Sequence, residues 1–290
     1  MVELQYLLPH HQINKLAHFL ANCSISWIKN FLISYFLKRY PVDLQEATQP
    51  NPFLYKNYND FFTRQLNKTA RIIDPNPHSI VSPADGRITQ YGDIKNNLLI
   101  NTKGVDLSLT SLLANQPATN STINPQIFST GKFITIYLAP HNYHRVHMPI
   151  NATVKQMLYV PGKLFSVNTI TVNKIPNVFT QNERVITVFD TDIGKIAIIL
   201  VGAMIVGSIV INWHGQVTPT KSRNISYWDY KDADNKLKLE RAQEMGLFKL
   251  GSTVIVLFEN NKINFSENVI INSPIKMGQS IATLSPTGNT

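Results

Sequence analysis

Cysteine is almost absent from this chain: Cys23 is the only one among 290 residues. A single thiol excludes an intrachain disulfide framework and a cysteine-rich metal site. It favours a reducing compartment, and we expect Cys23 to be a small buried apolar side chain. The first residues, Met1–Gln5, also lack the positive leader and small-residue cleavage site of a secretory signal, which favours a cytoplasmic chain.

Long apolar runs are missing as well. Between Ile13 and Tyr40 apolar residues recur at helical spacing, but lysines and the pair Lys38-Arg39 interrupt them before the roughly 18–20 residues needed to span a bilayer. The pattern predicts two amphipathic helices that do not cross a membrane. They either lie on an anionic membrane, with an aromatic-rich face and basic flanks at the headgroup boundary, or pack on the rest of the protein as a helical hairpin.

Acidic residues are scarce relative to basic ones, with 18 against 27 and a formal charge of +9. This balance favours an anionic partner such as acidic lipid, an anionic metabolite or nucleic acid. Because the lysines and arginines are scattered singly, with no dense basic arm and no RNA-binding signature, we do not expect a nucleic-acid partner.

Strand–helix–strand alternation and a glycine-rich dinucleotide motif are also missing. From Ser79 onward, short runs rich in Ile, Val, Thr and Tyr alternate with turn residues. The sequence therefore predicts an α+β protein in which an amphipathic helical segment, residues 1–60, precedes a β-rich domain, residues 61–290. Near the boundary, Tyr58–Leu66 is predicted to be a short helix. The clearest predicted strands are Phe133–Tyr137, Val185–Phe189, Ile196–Val201 and Val254–Phe258.

Three histidines follow the first of these strands, at His141, His144 and His147, with Arg145 among them. Neutral imidazoles could bind a metal ion, but the arginine opposes a cation and no fourth ligand is evident. The histidines could also cap a loop, or act as acids and bases beside an anion-binding arginine. For Arg145 itself, anion binding and a structural salt bridge both remain open.

Gly251 and Ser252 stand where a basic linker meets an apolar strand. Glycine offers an unhindered carbonyl and conformational freedom, so the following hydroxyl could turn back on it. A serine hydroxyl needs a base to take its proton, and a carboxylate such as Asp85 could orient that histidine. A serine hydrolase would use the same residue types, although the Gly-x-Ser-x-Gly motif is missing.

A different chemistry is possible near the carboxyl end. The segment Ser273–Ile281 is similar to the hairpins of lipoyl- and biotinyl-type carrier domains, which would make Lys276 a prosthetic-group site. A solvent-facing lysine in a plain hairpin explains the same segment, since the usual neighbour of a carrier lysine is missing.

Seven segments, spread over residues 61 to 258, form a recognisable set. In chain order they are Phe61–Arg64, Ser82–Gly86, Tyr143–Pro149, Pro161–Asn168, Asn182–Arg184, Val201–Ser208 and Leu250–Ile255. Together they resemble the phosphatidylserine decarboxylase family in its bacterial single-domain form. The histidine segment combined with the Leu-Gly-Ser-Thr element is the most specific part of the resemblance.

The resemblance implies an enzyme that cuts itself between Gly251 and Ser252 into a long chain, 1–251, and a short chain, 252–290. It implies that Asp85 and His147 form a charge relay that activates Ser252, which becomes a covalent pyruvoyl group. That group would form a Schiff base with the amine of phosphatidylserine and give phosphatidylethanolamine, with no metal and no added cofactor. His144 would handle the substrate and serve as the acid in decarboxylation.

The same resemblance implies where the enzyme works. Its substrate, phosphatidylserine, lies in an anionic membrane, so we expect peripheral attachment to the cytoplasmic face of the cell membrane. The long and short chains would remain together, and two copies would form a homodimer. A non-enzymatic lipid-binding protein is the remaining alternative.

Overall fold

The computed structural model describes residues 3–6, 8–99, 106–115, 123–204, 208–220, 224–230, 237–249 and 252–285. Within these ranges helices come first and strands dominate afterwards, so the predicted α+β class with a β-rich core is confirmed. The α-helices are α1 (His10–Ala21), α2 (Ser26–Arg39), α3 (Tyr58–Phe62), α4 (Leu109–Leu112), α5 (Thr169–Lys174) and α6 (Val178–Gln181). Short 3-10 helices cover Glu3–Tyr6, Pro52–Leu54 and Pro125–Phe128.

The strands include each predicted segment and extend beyond it. They are β1 (Ser79–Val81), β2 (Gly86–Lys95), β3 (Leu98–Leu99), β4 (Leu107–Ser108), β5 (Lys132–Leu138), β6 (Arg145–His147), β7 (Ala152–Val160), β8 (Arg184–Thr191), β9 (Gly194–Val201), β10 (Ile209–Ile211), β11 (Gly215–Gln216), β12 (Ser226–Asp229), β13 (Lys238–Leu239), β14 (Glu244–Phe248), β15 (Ser252–Phe258), β16 (Ile263–Phe265), β17 (Pro274–Ile275) and β18 (Ser280–Leu284).

One large sheet organises the fold. Along its main path the strand order is β12-β7-β8-β9-β15-β5-β2-β3-β4, and smaller sheets have the orders β11-β10-β14-β6 and β1-β18-β16. β17 pairs with β2, whereas β18 pairs with β1 and β16. The plain hairpin expected at residues 273–281 is therefore wrong, because its two strands belong to different sheets.

β15 lies in the middle of the large sheet, antiparallel to both β5 and β9. All seven of its residues are buried. Side chains alternate across a strand, so Val254 and Val256 enter one hydrophobic cluster while Ile255 and Leu257 enter the other. The small sheet with β14 and β6 contributes to the first of these clusters through Val146 and Phe248.

The amino-terminal helices pack on the other cluster. Phe36 of α2 is buried and its ring meets the rings of Tyr58, Phe61 and Phe62 at centroid distances of 5.7–5.9 Å. The buried ammonium of Lys29 donates to the carbonyls of residues 53 and 55. The two predicted helices are thus confirmed, and one face of α2 belongs to the protein core.

The ends of these helices follow local rules. α2 ends at Arg39, and Tyr40 is extended because a residue before proline disfavours the helical conformation. α3 begins after Asn57, whose side chain caps the amide of Asp60, but it ends at Phe62 rather than at the predicted residue 66. There the Thr63 hydroxyl donates back to the carbonyl of residue 59, a bond typical of helix ends.

No helix in the described ranges is long and apolar enough to cross a bilayer. Cys23, which we expected to be buried, is only half-buried at the turn after α1.

Candidate active site

Ser252 is the first residue of β15, at the place where the chain arrives from the small sheet. β14 ends at Phe248 in that sheet, and β15 begins in the large one. Ser252 is 0% exposed, and its Oγ finds no hydrogen-bond partner among the described residues. A buried hydroxyl normally has a partner, which makes this atom an exception. Gly251 lies outside the described residues.

A cavity of about 240 Å³ opens beside Ser252. Its walls are mainly apolar and aromatic, and the space is large enough for a small organic group. Residues lining it include Phe36, Tyr40, Tyr58, Phe62 and Tyr137. The helical segment and the large sheet therefore both contribute to the wall.

His147, on β6, is held as a neutral base. Its Nδ1 lies 2.7 Å from the carbonyl of Ala242, which can only accept, so Nδ1 carries the proton. Its Nε2 then accepts from the hydroxyl of Tyr143 at 3.1 Å. Burial lowers the pKa of His147, and the positive charge of Arg145 contributes, which favours the unprotonated ring near neutral pH.

His144 is 0% exposed and its ring lies against that of Phe62, with 4.2 Å between centroids. Nδ1 donates to the carbonyl of Asn142 at 2.8 Å, while Nε2 is buried without a hydrogen-bond partner in the described part of the chain. Burial, reinforced by the charge of Arg64, lowers the pKa of His144 to about 3. This ring is therefore neutral, with an available lone pair on Nε2.

Asp85 is buried and bound by Arg71 through both carboxylate oxygens, one of these bonds measuring 2.9 Å. The amide of Met277 also donates to it at 2.9 Å. Both nitrogens of His147 are taken by other groups, so the structure does not hold Asp85 against that ring. The negative charge of Asp85 still acts on His147 through space and favours its protonated form. A direct relay between the two remains a prediction.

The chain can be compared with known proteins at this point. The family model described as Phosphatidylserine decarboxylase matches residues 58–283, and one described as PSD matches residues 2–41. The chain belongs to the phosphatidylserine decarboxylase family. The predicted resemblance and the prediction of a decarboxylase, a carbon–carbon lyase of phospholipid biosynthesis, are confirmed.

Relatives cover nearly the whole chain. The phosphatidylserine decarboxylase proenzyme of Alteromonas mediterranea is 43% identical over 283 residues, which are 97% of this chain and 85% of that protein. The proenzymes of Pseudomonas fluorescens and Bordetella petrii are each 45% identical, covering 96% of this chain and 94% and 95% of theirs. Family membership favours neither the serine hydrolase nor the non-enzymatic alternative.

Arg145, which we considered as an anion-binding group of this decarboxylase, is engaged elsewhere. It pairs with Glu244 at 3.0 Å and donates to the carbonyl of Thr63 at 2.9 Å. The structural salt bridge is therefore the arrangement found. Lys276, at the suspected carrier position, is exposed and pairs with Glu46, which also binds Arg71.

Sequence reasoning missed two buried charged residues near this site. Arg64 is 4% exposed, and its Nε and Nη1 lack partners among the described residues, while Nη2 donates to the carbonyl of His141 at 3.0 Å. Glu183 is a buried carboxyl directly before β8, the strand next to β9. Both residues belong to segments that resemble the family, and this resemblance could have pointed to them. A motif alone, however, does not show that a charged side chain is buried.

Proposed function

We propose that this chain is a proenzyme that cuts itself between Gly251 and Ser252 and then decarboxylates phosphatidylserine to phosphatidylethanolamine. The observation that carries the proposal is the buried Oγ of Ser252, which lacks a partner within the described residues, in a residue that also borders an apolar cavity. The proenzyme names of the relatives support the same conclusion.

The first reaction needs a base at Ser252. Neutral His147 takes the hydroxyl proton on Nε2, which first releases its hydrogen bond from Tyr143, and Oγ attacks the carbonyl of Gly251. The C–N bond breaks and the amine nitrogen receives the proton, so that an ester replaces the amide. Asp85, bound to Arg71, supports the imidazolium that forms through its negative charge. The Cα proton of residue 252 is then removed, the Cβ–O bond breaks, and Gly251 leaves as a carboxylate. The alkene left on residue 252 tautomerises and reacts with water, which releases ammonia and leaves a pyruvoyl group.

The residues around position 252 fit such a group. Residue 252 is wholly buried and borders a cavity of about 240 Å³ with aromatic walls, which suits a small ketone. A pyruvoyl group supplies a carbonyl that condenses with the substrate amine and accepts the electron pair left when carbon dioxide departs. Because Ser252 starts a strand paired on both sides, the new chain end stays where it formed.

His144 is the residue we assign to proton transfer at the substrate carbon. Burial lowers its pKa to about 3, so it begins as a neutral ring. A lipid headgroup brings negative charge into the pocket, which raises the pKa of a neighbouring imidazole. The unshared Nε2 can then pick up a proton and deliver it after carbon dioxide leaves.

The outer surface of the amino-terminal helices gives the enzyme access to lipid. On α2, Trp27, Phe31 and Tyr35 are 65–74% exposed at spacings of four residues, and on α1 Leu16 and Phe19 are exposed too. An exposed apolar stripe near lysine and arginine side chains binds the headgroup boundary of an anionic bilayer. We propose peripheral attachment at the cytoplasmic face, with residues 1–60 as the membrane-association segment and 61–290 as the catalytic domain. Association of two copies is a further expectation.

Intact-mass analysis of the purified protein tests the proposal. We expect two chains, with a 252–290 fragment one ammonia lighter than a fragment that begins with serine. Ser252→Ala and His147→Ala should remain full length, whereas His144→Ala should be cut but decarboxylate at least about 100-fold more slowly. A decarboxylating protein made of one full-length chain, or one whose intact Ser252 reacts with a fluorophosphonate probe, would contradict it.

A further inference from the structure

Glu183 is a buried carboxyl that the proposed reactions leave without a role. It directly precedes β8, is 4% exposed, and receives the hydroxyl of Tyr159 on Oε2 at 3.3 Å. Oε1 is buried without a hydrogen bond of standard geometry in the described ranges. A buried carboxyl oxygen without a hydrogen bond lowers the free energy of unfolding, so Glu183 is a candidate for a chemical role that offsets this cost.

The strand register brings Glu183 and Ser252 onto one face of the large sheet. Thr253 pairs with Val201, and Val201 pairs with Arg184. Extending this register by one residue pairs Ser252 with Gly202 and Gly202 with Glu183. The three residues therefore form a row at the ends of the neighbouring strands β15, β9 and β8. The amide of Gly202 donates to the carbonyl of Glu183 at 2.9 Å, which extends the register on that side.

Alternation confirms the shared face. Val254, Leu200 and Val185 each lie two residues from a member of the row, and all three belong to the cluster between the large and small sheets. Residues two apart on a strand point the same way, so the side chains of Ser252 and Glu183 point toward this same layer. Neighbouring strands are about 4.8 Å apart, which places the two Cα atoms about 10 Å from each other.

Glycine at position 202 leaves the space between them open. A Cβ built on Gly202 would lie 3.2 Å from Cγ of Glu183, so the glutamate side chain borders the open space above this glycine. The same Cβ would lie 3.4 Å from a methyl carbon of Leu164. A side chain at 202 would occupy this space and stand between the carboxyl and residue 252.

We propose that Glu183 is the base that removes the Cα proton of residue 252 from the ester, an inference that rests on the self-cleavage proposed above. The carboxylate takes the proton, and the C–H electron pair becomes the Cα=Cβ double bond. The Cβ–O bond breaks, and its electrons leave with the carboxylate of Gly251. Glu183 thus acts after the ester has formed, while His147 acts before.

The electrostatics of the site agree with this use. Burial raises the pKa of Glu183 to about 7, and the hydroxyls of Tyr159 and Thr218 oppose that rise. A carboxyl with this pKa is substantially ionised near neutral pH, yet it binds a proton more firmly than an ordinary glutamate does.

Glu183→Gln tests the inference by the state in which the precursor stops. We expect a full-length chain that hydroxylamine splits between residues 251 and 252, because an ester is sensitive to hydroxylamine and an ordinary amide is not under the same mild conditions. The released fragment should begin with unmodified serine. Formation of the ammonia-depleted short chain should slow by roughly 100-fold.

Two further variants separate the base from a structural role. Gly202→Ala keeps the carboxyl but fills the space in front of it, so it should stall at the same hydroxylamine-sensitive stage. Tyr159→Phe removes only the hydrogen bond to Oε2 and should still give the ammonia-depleted chain. If Glu183→Gln fails to fold, as judged by circular dichroism, the result for Gly202→Ala tests the role of Glu183 instead.

Each result has one meaning. Processing of Glu183→Gln at the rate of the unsubstituted chain, or a folded full-length variant that resists hydroxylamine, would overturn the role of Glu183 and leave self-cleavage intact. Failure of the unsubstituted chain to be cut at all would instead overturn the proposed function.

Discussion

At the scale of single residues, several buried polar atoms lack a hydrogen bond of standard geometry in the described part of the chain, among them Oγ of Ser252, Nε2 of His144 and Oε1 of Glu183. Leaving a buried polar atom unpaired costs roughly 1–3 kcal/mol. A stable fold tolerates this where the atoms serve a reaction, and all three belong to residues with a proposed chemical step.

The lowered pKa of His147 predicts how ester formation depends on pH. A base must be unprotonated, and a pKa below the ordinary value of about 6.5 keeps the ring neutral as the pH falls through that value. We expect the rate to stay level from pH 8 to about 6.5 and to fall only in more acidic buffer. Precursor from cell-free translation, scored as the fraction cut or sensitive to hydroxylamine, provides the measurement.

Ser252→Ala supplies the blank for this experiment, because it cannot form the ester. A rate that already falls between pH 8 and 7 would show that the base is protonated too easily to be the buried His147.

At the scale of elements, α2 has two apolar faces rather than the single one that an amphipathic pattern implies. Its inner face places Ile33 and Phe36 in the core, while Trp27 and Phe31 point outward. A helix already docked on the protein gains nothing within the chain from its outer rings, and exposed apolar patches of this kind mark interaction surfaces.

Substituting the outer rings should weaken membrane binding and leave the fold intact. We expect Trp27→Ser with Phe31→Ser to lower partitioning onto anionic vesicles by at least about 100-fold, because each lost ring removes roughly 1.5–3 kcal/mol of apolar burial. Ile270→Ser, an exposed apolar residue on a distant segment of the chain, is the matched control. Vesicle sedimentation gives the partition coefficient, and equal values for the double variant and the control would contradict attachment through α2.

At the scale of the whole molecule, the proposed cut separates pieces that the sheets hold together. β15 of the short chain lies between β5 and β9 of the long chain, and β17 and β18 pair with β2 and β1. Backbone hydrogen bonds and buried side chains therefore connect the two chains. The exposed ion pair between Lys276 of the short chain and Glu46 of the long chain adds little to the free energy that holds the two chains together.

This distribution predicts that the cut chains remain together in high salt and separate only in denaturant. Salt screens exposed ion pairs but leaves buried strands and hydrogen bonds largely unaffected. Lys276→Ala should change the free energy of unfolding by less than about 1 kcal/mol. Size-exclusion chromatography of the cut protein checks the association, and release of the short chain by salt alone would mean that ion pairs hold it.

The sequence by itself determined the helices at the start of the chain and the main strands. It also determined that the residue types at positions 85, 144, 147 and 252 are those of a carboxylate, two imidazoles and a hydroxyl nucleophile. These depend on local spacing and on residue type, which are properties of short segments. Only the tertiary structure decided that Asp85 binds Arg71, that Tyr143 covers Nε2 of His147 and that Arg145 pairs with Glu244.

The orientation of α2 and the row formed by Ser252, Gly202 and Glu183 were likewise decided only by the tertiary structure. Local periodicity shows that a helix or strand exists but not which partner lies beside it. Most of these neighbours are far apart along the chain, so their contacts, burial and charges arise only when the sheets and helices pack together.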